Sequence, residues 1–113
     1  MPDTKSLFRD ASVMHNGHTV ALTAEECLGL SNAAGFTNSP GYPSTWLAVD
    51  VFRLAQRKLY ELPGRVAPDA VVLTLAAAVL GISVDKLTDL IRWNENYMRW
   101  HDGDDSYSVL DAQ

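Results

Sequence analysis

Apolar residues recur along this chain with two different periods. Between Leu7 and Leu22 they alternate with polar ones, and folding back at Asn16-Gly17 puts Ala11, Val13, Val20 and Leu22 on one face. That dipeptide suits a type I′ turn, whose two central residues both take positive φ, so the segment predicts a β-hairpin over about 7–22. Two strands alone are marginal in water, and the hairpin must lean on helices. From Thr23 onward the spacing becomes helical. Thr23-Ala24-Glu25-Glu26 matches a capping box and predicts a short helix to about Ala34, with Gly35 free to stop it in the left-handed conformation.

Asn38-Ser39-Pro40-Gly41-Tyr42-Pro43 can be neither helix nor central strand, and predicts a loop with stiff corners. Ser44 then caps a helix from Thr45 to about Glu61, in which Ala48, Val51, Phe52, Ala55, Leu59 and Leu62 keep helical spacing while Asp50, Arg53, Arg57 and Glu61 line the wet side. Pro63-Gly64 ends it, and Pro68-Asp69 opens another helix to about Leu80 that is apolar nearly all round. Such a helix belongs at the centre of the core. After Gly81-Ile82-Ser83 a fourth helix, Val84 to about Trp100, carries Leu87, Leu90, Ile91, Tyr97 and Met98.

Composition adds size and compartment. With 113 residues, 47% of them hydrophobic, the chain suits one domain with its own core. The expected division is a single helical domain over 1–101 and an acidic, mobile tail over 102–113. Most of the net charge of −5 sits in that tail: residues up to 101 hold nine Lys/Arg against ten Asp/Glu, and Asp102, Asp104, Asp105 and Asp111 supply the other four negatives. A single cysteine, Cys27, excludes an intramolecular disulfide and fits a reducing cytoplasm. No apolar run follows Met1 to Lys5, and the longest apolar stretch, Ala70 to Leu80, is about half the ~20 residues of a membrane span. A cytoplasmic protein without membrane attachment is expected.

One segment carries a functional suggestion. In Leu75-Ala76-Ala77-Ala78-Val79-Leu80-Gly81-Ile82-Ser83-Val84-Asp85-Lys86-Leu87-Thr88-Asp89-Leu90-Ile91, Ala77 occupies a small-residue place where two helices cross and Gly81 occupies the turn. Ala76, Leu80, Ile82, Leu87 and Leu90 hold the pair together. The spacing resembles the helix-turn-helix of bacterial and phage DNA-binding regulators. The elements read above make a mainly α, four-helix compact domain with a small N-terminal β-hairpin, and the resemblance adds that two of its helices form a helix-turn-helix-like pair. It implies a transcription regulator acting by operator occupancy on double-stranded DNA, most simply as a homodimer. Ser83, Asp85, Lys86, Thr88, Asp89 and Arg92 would then face the groove. Arg53, Arg57 and Lys58, the densest basic group together with Arg65, would meet phosphates. Asp85 and Asp89 depart from the usual base-reading chemistry, because a carboxylate accepts only from cytosine and is repelled by phosphate. The simpler account of the basic group is a solvated helix face, paired in part with Asp50 and Glu61 at helical spacing.

A second class of function rests on aromatic residues. Trp93, Tyr97 and Trp100 recur at i, i+4 and i+7, a stripe offset from the Leu87, Ile91 and Met98 face. The loop from Phe36 to Trp46 adds Tyr42 and Trp46 on a proline-stiffened backbone that loses little entropy on binding. These five aromatics suit a protein-interaction module, such as a phage or plasmid accessory protein that captures a host protein, or a dimer contact. The alternative is that the stripe is covered within the monomer. His15 and His18 flank the hairpin turn and would be directly opposed, yet two ligands do not make a metal site. Cys27, beside Leu28 and Ala24, reads as a small buried hydrophobe. No Walker loop, serine elbow, dinucleotide fingerprint or carboxylate pair is present, so neither an enzyme nor a cofactor is expected.

Overall fold

A computed structural model describes residues 4–35, 37–61 and 68–102. A turn of 3-10 helix over Thr4–Leu7 leads into β1 (Ala11–His15) and β2 (His18–Leu22), and four helices follow: α1 (Ala24–Cys27), α2 (Thr45–Tyr60), α3 (Asp69–Leu80) and α4 (Val84–Asp102). The fold is mostly helical with one two-stranded antiparallel sheet. Three expectations fall on residues outside that description: the acidic tail beyond Asp102, the Pro63-Gly64 helix stop with Leu62 and Arg65, and Phe36.

The hairpin pairs Ala11 with Leu22, Val13 with Val20 and His15 with His18. Asn16 (φ 52°) and Gly17 (φ 78°) both take the positive angles of a type I′ turn. Val20 and Leu22 are buried and Ala11 and Val13 pack against the core, so the alternation sets the inner face. The strand does not begin at Leu7. Leu7 ends the 3-10 turn, and it is buried with Phe8 in the core. The Arg9 amide donates to the Val79 carbonyl at 2.7 Å, tying this entry segment to the end of α3.

The capping box at Thr23 forms, with the hydroxyl accepting from the Glu26 amide and the Glu26 carboxylate accepting from the Thr23 amide. The helix it starts is a single turn and does not reach Ala34. Beyond Cys27 the backbone continues in i→i+3 turns, Leu30 N to Cys27 O and Ala33 N to Leu30 O, both 3.1 Å. Gly29, Ser31 and Asn32 are poor helix formers, and the Asn38 side chain takes over the carbonyls of Asn32 (2.7 Å) and Ala33 (3.3 Å). Gly35 accordingly keeps an ordinary negative φ, since only Gly17, Gly41 and Gly81 among the glycines described are positive.

Ser44 caps α2 by accepting from the Leu47 amide at 3.1 Å, and Leu47, Ala48, Val51, Phe52, Ala55 and Leu59 form its buried face. Pro68 stands at the N-cap of α3, where its carbonyl accepts from Val71 and Val72. α3 is the central element: α2, α4 and the hairpin all pack on it, and Val72, Leu75, Ala76 and Val79 are completely buried. It ends in a Schellman motif, with Gly81 at φ 69°, Ile82 N donating to Ala77 O and Gly81 N to Ala78 O. The axes of α3 and α4 then meet at 101°. Among the described residues, no single helix is long and apolar enough to cross a membrane.

Candidate interaction surface

The loop before α2 owes its shape to residues that its composition only hints at. Pro40-Gly41 occupies the centre of a turn closed by Tyr42 N to Ser39 O (2.8 Å) and Ser39 N to Tyr42 O (3.2 Å). Gly41, at φ 79°, supplies the angle that a type II turn needs at its third residue. Asn38 is buried below the turn, and its side-chain oxygen accepts from the Ser44 amide at 2.7 Å. The loop is therefore stitched to the end of the α1 turns and the start of α2 by one side chain. Tyr42 projects outward, 67% exposed, while Pro43 is buried.

α4 carries two faces of different character. Leu87 and Ile91 are fully buried, joined by Asn94, whose amide donates to the Thr45 hydroxyl at 3.3 Å. On the other side stand Trp93, Tyr97 and Trp100, 59%, 38% and 81% exposed. Trp93 and Tyr97 stack face to face with centroids 5.5 Å apart, so the helix itself pre-orders the centre of the stripe. Among the described residues, the hairpin and α2 leave these three side chains at those exposures and so do not bury the stripe.

Lys86 joins the two halves. Its ammonium donates to the Gly41 carbonyl at 3.2 Å and lies 4.1 Å from the centre of the Tyr42 ring, a hydrogen bond and a cation–π contact across 45 residues of sequence. Between these elements lies an open cleft of about 360 Å³ lined by Thr45, Lys86, Asp89, Leu90 and Trp93, with almost entirely apolar walls. Trp46, 43% exposed, follows Thr45 in the first turn of α2. Sequence reasoning missed Thr45 and Leu90 as lining residues. Leu90 stood on the boundary between the two faces of α4, which was the available signal.

The residues assigned to DNA are scattered in role. Ser83 caps α4, its hydroxyl accepting from the Lys86 amide at 3.1 Å, and Thr88 bonds back to the Val84 carbonyl at 2.9 Å. Asp85, Asp89 and Arg92 are exposed. Of the cations on α2, Arg53 and Arg57 are exposed, whereas Lys58 is half-buried in an ion pair with Glu26. The hydrogen bond from Lys58, helped by the Thr23 groups, holds the Glu26 carboxyl below its usual pKa against a smaller opposing effect of burial. Next to it Cys27 is fully buried, and loss of solvation, reinforced by the Glu26 charge, pushes its thiol up to about 11. That is the reverse of an activated nucleophile. His15 and His18 do stand opposite each other, and among the described residues no cluster of three or more metal-ligating side chains includes them.

Comparison with protein-family models, curated proteins and solved structures finds no match to this chain.

Proposed function

We propose that this chain is a protein-interaction module, a small accessory protein that docks a protein partner on the outer face of α4 and the adjoining Pro-Gly loop. The observation that carries the reading is the exposure of Trp93, Tyr97, Trp100 and Tyr42, with Trp93 lining an apolar cleft, on elements tied together by Lys86 and Asn38. Aromatic side chains in fixed positions bring large buried area at low entropic cost, which is why they dominate interface energetics. Partner enrichment from an extract of the host cell tests it, comparing the wild type with the Trp93→Ala/Trp100→Ala double variant and using thermal melting as the folding control. A bound protein lost at least tenfold in the folded variant is expected; no tryptophan-dependent partner would overturn the reading.

One observation favours a second reading, a DNA-binding regulator of bacterial or phage type. The 101° angle between α3 and α4 across a three-residue turn lies within the range of helix-turn-helix pairs, roughly 90–120°. In that reading α4 enters the groove through Asp85, Asp89 and Arg92. Against it, Lys86 already contacts Gly41 and Tyr42, and the two carboxylates oppose phosphate. Retention of one DNA fragment that weakens steeply with salt, and is lost in Lys86→Ala/Arg92→Ala, would establish it; retention unchanged by that double variant would remove α4 from the groove.

A further inference from the structure

We infer that the occupant of the aromatic face is a second copy of this chain, with its α4 laid antiparallel along the first. The inference rests on the reading of that face as a protein-docking surface and names what docks there. Two observations select a second copy over an unrelated partner.

The first is the order of charge along the flank of the stripe. Going from the N-terminal to the C-terminal half of α4, the exposed charges on the side that also holds Asn96 run Asp85, Asp89, then Arg92, Arg99. Lys86 belongs to the same half as the acids, but it lies against Gly41 and Tyr42. In an antiparallel, two-fold related helix pair, each flank faces the same flank of the other copy with its direction reversed. The acidic half of one α4 therefore meets the basic half of the other, and both contacts of the symmetric pair are attractive. With the two-fold axis near Trp93 and Asn94, Asp89 of each copy faces Arg99 of the other, and the Trp93–Tyr97 stacks of the two copies meet at the centre. A parallel two-fold pair would turn this flank toward the opposite flank of the other copy and lose the pairing.

The second is area. Taking the exposed fractions of Trp93, Tyr97, Trp100 and Tyr42, the ring surface available is on the order of 500 Å² per copy at the usual size of aromatic side chains. Two copies together reach about 1,000 Å² before Leu90 and the walls of the cleft are counted, which is where specific interfaces begin. The face is also continuous over a helix of 19 residues, long enough for both ends to engage.

Sedimentation equilibrium on the full chain, from low micromolar to near-millimolar concentration, tests this with two charge reversals. The wild type is expected to dimerise. Asp89→Lys alone places lysine against arginine at both contacts, and Arg99→Glu alone places glutamate against aspartate, so each should dimerise about tenfold more weakly. An equimolar mixture of the two variants restores attraction at both contacts, and should associate as tightly as the wild type. Because neither substitution touches the core, unchanged circular dichroism in each variant is the check on folding. A wild type that stays monomeric throughout, or a mixture no tighter than its components, overturns the inference. If the monomer still enriches a protein through Trp93 and Trp100, only self-pairing falls; if it enriches none, the docking reading falls with it.

Discussion

Asn38 makes three hydrogen bonds from a buried position, accepting from the Ser44 amide and donating to the carbonyls of Asn32 and Ala33. Removing its amide leaves backbone groups without partners in a site that water enters poorly, a loss of about 2–3 kcal/mol. Asn38→Ala is thus expected to lower the urea midpoint strongly with little change in slope. Asn38→Asp should do no better, since it retains the acceptor but sets a carboxylate against two carbonyl oxygens. Cys27 makes a different kind of prediction. Its thiol titrates near 11 in the folded chain against an ordinary value of 9.0. Below the ordinary value both states keep the proton and stability is at its full level. Between the two values the unfolded state loses its proton first, so stability falls as pH rises. Thermal melts between pH 8 and 11 should show this decline, on the order of 1–2 kcal/mol after allowance for partial solvation, and Cys27→Ala should remove it.

At the scale of elements, the contact between Lys86 and the loop is the one most open to measurement. Lys86→Ala removes a hydrogen bond and a cation–π contact, together about 1–2 kcal/mol of local stability. Faster hydrogen exchange at Tyr42 and Ser39 with protection in α3 unchanged is the expected pattern; exchange accelerated throughout would mean that the contact supports the whole fold. This contact also marks the limit of what patterning reveals. The hairpin register, the start of α2 at Ser44, the central position of α3 and the start of α4 could all be read, because each follows from a local rule of period, cap or turn. The length of α1 could not. A capping box says where a helix starts without saying how far it runs, and the i→i+3 turns that follow Cys27 end at carbonyls that Asn38 holds from five and six residues further on. Likewise the stripe of Trp93, Tyr97 and Trp100 followed from spacing, whereas its joining to Tyr42 through Lys86 had no signal in the order of residues. The placement of Lys58 against Glu26 and of Leu7 in a 3-10 turn were likewise set by packing rather than by local pattern.

For the molecule as a whole, α3 is the element on which α2, α4 and both strands of the hairpin pack. Leu75 is fully buried on it, and Leu75→Ala should cost about 3–4 kcal/mol, a large share of the 5–15 kcal/mol typical of a domain this size. Urea melts followed by circular dichroism should show hairpin and helices lost together, since the hairpin has no independent support. Gly81→Ala is expected to be milder, about 1–2 kcal/mol, because a side chain is strained at φ 69° and its Cβ would stand 3.1 Å from the flexible Arg9 guanidinium.

The exposure of all three tryptophans gives the molecule an unusual optical character. Trp46, Trp93 and Trp100 are 43%, 59% and 81% exposed, so the buried core contains no indole. In the monomer, whose indoles all reach the surface, unfolding should shift the emission less than it does for a core tryptophan, making intrinsic fluorescence of the monomer a weak reporter of stability. The same indoles become a selective reporter of association. Whatever settles on the outer face of α4, a second copy included, strips water from Trp93 and Trp100 and moves the emission to the blue, and its release moves the emission back.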